Sequence, residues 1–475
     1  MPHPCYDTNE AMIVHIPSGA RVIIDALMSC GFEAYAVGGC VRDSLMGRTP
    51  HDWDICTSAR PDDVRAALGA WYSVIPTGEK YGTLTVSVDG AMFEVTTFRG
   101  DGVYSDGRRP DNVAFSDNLL DDLARRDFTM NAIACSPQTG LVDPFDGLGD
   151  IRRRVIRTVG APQARFTEDA LRIMRACRFA SELGFSLDQA TAAAVTALVP
   201  MLANVSAERI SAELIKLLLG VHVEHALYAY RAVLSAVVPP LAALQGLTQN
   251  HPYHFLDAYR HTAKVVAASP SVPEVRMAAL LHDIGKAVCR TVDERSIVHF
   301  YGHAKVSVEA AQALFAERLR FGGDFCKRVL LLVRYHDAEI AETGAGIKRW
   351  LARLGEPAFR QLLDLKTADA AGHTDAAREK HEAKTERLRL LLDEVIASRD
   401  CYSLQSLDIS GHDLLAAGHE PGPPIGRLLR ALLLAVIDGM CDNEKSALLK
   451  YAATLESEMV LPKERPHNWE HTGDF

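Results

Sequence analysis

Tyr35-Ala-Val-Gly-Gly-Cys-Val-Arg-Asp43, followed by His51-Asp-Trp-Asp-Ile55, decides how this 475-residue chain is read. A short apolar run ends in the two glycines Gly38 and Gly39. A helical pattern carrying Arg42 in its first turn follows, and Asp52 and Asp54 come soon after with one residue between them. On a strand, side chains alternate from face to face, so Asp52 and Asp54 are expected on the same side. Two carboxylates beside a glycine-lined helix start can hold Mg²⁺ against the phosphates of a nucleotide. That is the layout of a nucleotidyl-transfer site.

Outward from this stretch, residues 20 to 150 read as mixed α/β. Strands are expected at Tyr35–Val37, Thr83–Val88 and Phe93–Phe98, the last two flanking the hairpin signal Asp89-Gly90. Beyond about residue 155 the pattern is almost entirely helical. Thr167-Glu168-Asp169 is expected to open a helix, with acids in its first turn. On it Asp169, Arg172, Arg175 and Arg178 recur every three residues, giving a slowly drifting polar stripe opposite Leu171, Ile173, Met174 and Phe179. Arg125-Arg-Asp-Phe-Thr-Met-Asn-Ala-Ile-Ala134 sets two arginines, an acid and an amide on an otherwise apolar segment, as in a half-buried element whose polar groups face a ligand.

Composition limits the function. Apolar residues make up 48% of the chain and charged residues 24%, enough for a core in a soluble protein of about three domains. The start has neither a basic nor an apolar signal region, and apolar runs such as Leu432–Ile437 are too short to span a bilayer. Ten scattered cysteines without a Cys-x-x-Cys pair read as reduced thiols, so a cytoplasmic protein is expected. The net charge of −10 by itself argues against a nucleic-acid partner. Between Arg99 and Arg178, however, thirteen arginines and no lysine stand against twelve acids, and attraction to phosphate needs a patch, not a basic total.

In order, Gly-Gly-Cys-Val-Arg-Asp, Asp-Trp-Asp, Arg-Arg-Asp-Phe-Thr-Met-Asn-Ala and Glu168-Asp-Ala-Leu-Arg172 resemble the class II tRNA nucleotidyltransferases, the CCA-adding enzymes and their bacterial poly(A) polymerase relatives. Ser206-Ala-Glu-Arg-Ile-Ser-Ala-Glu213 is similar to the last motif of that family, and the resemblance covers roughly residues 20 to 220. It implies an α+β fold: a polymerase-β-like head over residues 1–155, a helical neck over 156–245, and all-α regions beyond. It implies that Asp52 and Asp54 hold two Mg²⁺ ions, with Glu94 a third candidate carboxylate. Gly38, Gly39 and Arg42 would face phosphates. Arg126 and Asp127 would lie near ribose and phosphates, and Arg175 and Arg178 would extend the pocket.

Asp169 and Arg172 would read the base of CTP or ATP. Cytosine and adenine offer an amino donor to the carboxylate and ring acceptors to the guanidinium, whereas uracil and guanine present a carbonyl that the carboxylate repels. The implied activity is template-independent CCA addition to the tRNA 3′ end with release of pyrophosphate. An enzyme adding only the terminal A, or a poly(A) polymerase, shares the same motifs. The glycine-rich stretch Arg99–Asn112 lies where the family carries a flexible loop needed for A addition, which disfavours a CC-only enzyme.

Ala278-Ala-Leu-Leu-His-Asp-Ile-Gly-Lys286 resembles the signature of HD-type phosphohydrolases. His261 precedes His282-Asp283 by 21 residues, His303 follows His282 by 21, His336 comes 33 later and Asp369 another 33. Imidazole and carboxylate ligands suit Mg²⁺, Mn²⁺, Ni²⁺ or Co²⁺, and Asp337 is an alternative ligand beside His336. An HD domain is therefore expected over residues 246–375, with a helical tail over 376–475. A metal phosphohydrolase whose head merely binds RNA is the rival from another class.

Overall fold

The structure, a computed structural model, describes residues 14–100, 114–249, 256–294 and 296–459. The chain forms two compact units. The first runs to Leu247 and takes in Ser271–Met277 and Glu309–Gly323; the second holds the remainder.

The first unit opens with a seven-stranded sheet: β1 (Ala34–Val37), β2 (Asp54–Thr57), β3 (Ser73–Gly78), β4 (Thr83–Val88), β5 (Ala91–Thr97), β6 (Ala134–Ser136) and β7 (Gly140–Val142), in the order β3-β4-β5-β2-β1-β6-β7. Within this sheet only the β2–β5 pair is parallel. Alternation drives the sheet: β4 buries Leu84, Val86 and Val88 and turns Thr83, Thr85 and Ser87 outward. Asp89 (φ 50°) and Gly90 (φ 82°) make the β4–β5 turn with both central residues at positive φ, which is why Asp-Gly is found there. Tyr35, Val37, Cys56, Phe98, Leu119, Leu123, Ala132 and Ala134 form one apolar cluster of the head.

Helices follow the sheet, so the expectation of a mixed α/β head followed by helical regions holds. Within the first unit the helix Leu171–Leu183 packs against Ala207–Leu218, and Ser181 Oγ donates to Leu217 O at 2.7 Å. Two local expectations fail here. Thr167 and Glu168 close the helix Pro162–Glu168 and do not open one; Asp169 is extended (φ −146°, ψ 100°), and the next helix starts at Leu171. The Asp169 carboxylate accepts the backbone N–H of Leu171 at 3.1 Å, so its side chain competes with continuous helix. Asp169 therefore stands at a helix junction, not on the same helix as Arg172, Arg175 and Arg178. Likewise β2 starts at Asp54, and Asp52 precedes it, because β1 ends at Val37 and the chain there turns into the helix Gly39–Leu45.

The second unit is helical apart from a small hairpin, Thr291–Val292 with Val298–His299. Helices Gly344–Leu354, Glu356–Ala370 and Asp375–Ala397 pack on one another. A separate cluster of Leu407, Ile409, Leu414, Leu428, Leu432, Leu433, Ile437 and Leu448 closes the tail. The glycine- and proline-rich stretch Gly418–Gly426 turns helical at Pro423: proline at the first position has its φ preset and loses no hydrogen bond. No helix of the described residues is long and apolar enough to cross a membrane. Residues 101–113, most of the glycine-rich stretch, lie outside the described residues.

Candidate active site and metal centre

The parallel register of β2 and β5 sets Asp54 directly beside Glu94. Asp52 joins them from the residues ahead of β2. Burial, then the negative charges of Asp52 and Glu94, push the Asp54 carboxyl up to about 6, with Arg126 opposing. Three carboxylates crowded so closely repel one another, and an oxygen-only donor set of this kind fits a hard divalent cation such as Mg²⁺.

At the end of β1, Gly38 adopts φ 85°, ψ −129° and leads into the short helix that carries Arg42. The positive φ favours glycine here, and a Cβ would also lie 3.0 Å from Arg126 Nη1, so the guanidinium would have to give way. Arg126 is half-buried and donates to Asp122 Oδ2 at 3.0 Å; Arg125 grips the other oxygen of the same carboxylate. Burial alone would raise the Asp122 carboxyl, but Arg126 and Arg125 hold it below the usual range. Asp122 was not singled out from sequence, although acids three and four residues ahead of Arg125-Arg126 are a readable signal.

Asn131, the amide of the Arg125–Ala134 segment, joins two of the expected residues. Its Oδ1 accepts from Arg42 Nη1 at 2.7 Å, and its Nδ2 donates to Asp127 Oδ1 at 3.0 Å. Asp127 Oδ2 in turn accepts from Arg175 Nε at 2.8 Å. Despite burial, Arg175 and Asn131 hold the Asp127 carboxyl far below its usual range. The Arg42 guanidinium also stands 5.0 Å from the centre of the Phe179 ring. One connected network thus runs from the glycine turn to the helix Leu171–Leu183.

The stripe arginines are held by internal partners. Arg172 Nη1 donates to Glu168 Oε2 at 2.8 Å and to Arg165 O at 3.1 Å, and its Nη2 donates to Arg125 O at 3.0 Å. Arg178 is buried between Glu213, at 2.6 Å, and Glu182, at 2.7 Å. Glu213 also lies 3.7 Å from Arg175. Asp169 is gripped by both terminal nitrogens of Arg209. Arg209 and Glu213 belong to the Ser206–Glu213 motif, whose individual residues the sequence reading left without roles.

In the second unit the structure brings His261, His282, Asp283, His303, His336 and Asp369 together. Asp283 is central: Oδ2 lies 3.1 Å from His282 Nε2 and 3.5 Å from His261 Nε2, while Oδ1 lies 3.4 Å from His303 Nε2 and 3.8 Å from His336 Nε2. Asp369 Oδ1 is 3.0 Å from His261 Nε2. Nδ1 of His282, His303 and His336 each meets a backbone carbonyl, of Ala279, Phe300 and Val333, at 2.7–2.9 Å. Each Nδ1–H is thereby donated away, and Nε2 is the atom turned to the cluster.

His303 Nε2 and His336 Nε2 face each other at 3.0 Å, and Asp283 Oδ1 is buried with no hydrogen-bond donor. Opposed lone pairs beside an orphaned carboxylate oxygen fit a cation between them. Burial would lower the His282 imidazole, but Asp283 and Asp369 lift it to about 10, whereas burial and the His282 and His303 charges push His336 down to about 4. Asp337, the alternative ligand, lines the adjoining cavity of about 410 Å³ with Lys366, Lys380 and Lys384.

The chain is similar to known proteins over most of its length. The poly A polymerase head domain profile matches residues 34–157, the "Probable RNA and SrmB-binding site of polymerase A" profile 184–232, the HD domain profile 252–394, and tRNA nucleotidyltransferase domain 2 residues 367–452. A CCA-adding enzyme of Lactobacillus delbrueckii subsp. bulgaricus is 34% identical over 93% of this chain and 98% of its own length. That of Geobacillus stearothermophilus is 36% identical over 93% of this chain and 97% of its own. The crystal structure of the Bacillus stearothermophilus CCA-adding enzyme in complex with CTP superposes with a TM-score of 0.66 at 32% identity, covering 93% of this chain and 98% of that one. With these motifs, this fold and similarity over nearly its whole length, the chain belongs to the family of CCA-adding tRNA nucleotidyltransferases.

Proposed function

We propose that this protein builds the CCA end of tRNA, joining CMP, CMP and AMP from CTP and ATP to the 3′-hydroxyl and releasing pyrophosphate. The observation that carries the site assignment is the Asp54–Glu94 register with Asp52 beside it, opposite the Gly38 turn. Asp52, Asp54 and Glu94 hold Mg²⁺, which when bound favours the deprotonated hydroxyl and neutralises triphosphate charge. The chain's own groups do the remainder. Gly38 and Gly39 let backbone approach the phosphates, and Arg42 and Arg126 offer them guanidinium charge. Asp127 and Asn131 keep Arg42 and Arg175 oriented, and Asp169 and Arg172 select the base by hydrogen-bond polarity.

The test is incubation of the protein with tRNA lacking its CCA end and each nucleotide, singly and combined. Addition of CCA with CTP and ATP supports the reading. Addition of A alone, or of a long A tract, would assign it to the A-adding or poly(A) branch.

A second activity rests on Asp283 standing between two pairs of histidines. Those ligands suit a divalent metal that polarises a phosphoryl oxygen, so the HD region acts as a phosphohydrolase on phosphomonoesters or 2′,3′-cyclic phosphates. His282→Ala should remove hydrolysis and leave nucleotide addition intact. Failure of Mg²⁺, Mn²⁺, Ni²⁺ and Co²⁺ alike to elicit hydrolysis would remove this reading.

A further inference from the structure

The hydrogen-bonding capacity of Asp169 and Arg172 is largely used, and what is left can be counted. An ionised carboxylate has about four lone-pair positions. Three are occupied on Asp169: Oδ1 accepts from Leu171 N at 3.1 Å and Arg209 Nη1 at 3.1 Å, and Oδ2 accepts from Arg209 Nη2 at 2.7 Å. One remains, on Oδ2. A guanidinium has about five N–H donors. On Arg172 both Nη1 donors go to Glu168 and Arg165 O, and one Nη2 donor goes to Arg125 O. One Nη2 donor and Nε–H remain.

One open acceptor on Asp169 and two open donors on Arg172 match in kind and number the amino donor, N3 and O2 of cytosine. The same set also accommodates adenine, with its amino donor and N1. It does not match uracil, whose carbonyl meets the acceptor. The match depends on Arg209. Without its fork, Asp169 would present three open acceptor positions and could turn about its side-chain torsions, since only the Leu171 N–H would still hold it.

We propose that Arg209 is a specificity-determining positioning residue. It acts through Asp169, fixing that carboxylate as a single-site acceptor for the exocyclic amino group of the incoming nucleotide. This rests on Asp169 reading the base. Asp169 and Arg209 side chains are 17% and 25% exposed, so the pair is largely shielded from water and a bidentate fork there has real orienting power.

The test is single-turnover addition to tRNA lacking its CCA end, with CTP and UTP compared by kcat/KM. Arg209→Ala should lower the CTP:UTP preference roughly tenfold or more, as expected when a polar site loses the partner that fixes it. Arg209→Lys, which keeps the charge but not the fork, should fall between Arg209→Ala and wild type and also serves if the alanine variant does not fold. In an Asp169→Ala background, removing Arg209 should change the preference no further. A preference unchanged in both Arg209 variants, with only activity or Tm reduced, would overturn the proposal and leave Arg209 a structural brace. A preference unchanged in Asp169→Ala alone would overturn the base-reading assignment itself, and this proposal with it.

Discussion

Asp54 and Glu94 sit side by side across the parallel pair of strands in the seven-stranded sheet, and their repulsion is stored in the folded protein. The Asp54 carboxyl, at about 6, lies above its unfolded value near 4. A raised folded value means that Asp54 costs nothing below pH 4. Its cost grows as pH climbs through 6 and is complete above 7. Asp54→Asn should therefore stabilise the metal-free protein at pH 7.5, by at most about 3 kcal/mol, with the gain shrinking toward pH 4. Nucleotide addition should fall to background. Urea unfolding in EDTA at pH 5 and 7.5 measures this, and a variant no more stable than wild type at pH 7.5 would refute it.

Asn131 spans Arg42 and Asp127, the first 89 positions away in sequence. Asn131→Ala leaves a buried guanidinium N–H and a buried carboxylate oxygen each short of a partner, which should cost about 1–3 kcal/mol of stability. Arg42 would lose its orientation toward phosphate, so KM for CTP and ATP should rise more than kcat falls. Unchanged KM for both nucleotides would show that Arg42 does not depend on Asn131.

Residues that carry chemistry at short spacing are legible in the sequence. Gly38-Gly39, Asp52 and Asp54, Arg126-Asp127 and His282-Asp283 are each visible within a few positions. The hairpin at Asp89-Gly90 is legible because only residues tolerant of positive φ fit that turn. The distant partners that hold such groups are not legible. Arg209 reaches Asp169 from 40 positions away, and Glu213 reaches Arg178 from 35, so neither leaves a local pattern. The break at Asp169 is hidden for a related reason. Asp-Ala-Leu-Arg reads as unbroken helix, and the grip of Arg209 on the carboxylate is a tertiary contact that propensity does not contain.

Gly38 offers a backbone test of the head. Its positive φ strains any side chain, and a Cβ there would press on Arg126 Nη1 at 3.0 Å. Gly38→Ala should cost about 1–3 kcal/mol through strain and displace Arg126. Activity should drop with both kcat and KM affected, because Arg126 also neutralises the field on Asp54. Full activity with unchanged Tm would mean that the turn relaxes without cost.

The HD cluster makes a prediction about protons. In the metal-free protein burial disfavours charge on His282, yet Asp283 and Asp369 outweigh it and hold the imidazole protonated up to about pH 10. An imidazole binds metal only as the neutral base, so occupation of the site must expel that proton. Apparent affinity for Mn²⁺ or Ni²⁺ should thus rise with pH across the neutral range, roughly tenfold per unit for one proton released. Calorimetric titrations in buffers of different ionisation enthalpy count the proton directly, and His282→Ala should abolish both the release and the tight binding. A binding heat independent of the buffer would mean that His282 is already neutral. The cluster's carboxylates would then be set by Lys286, which pairs with Asp283 at 2.7 Å.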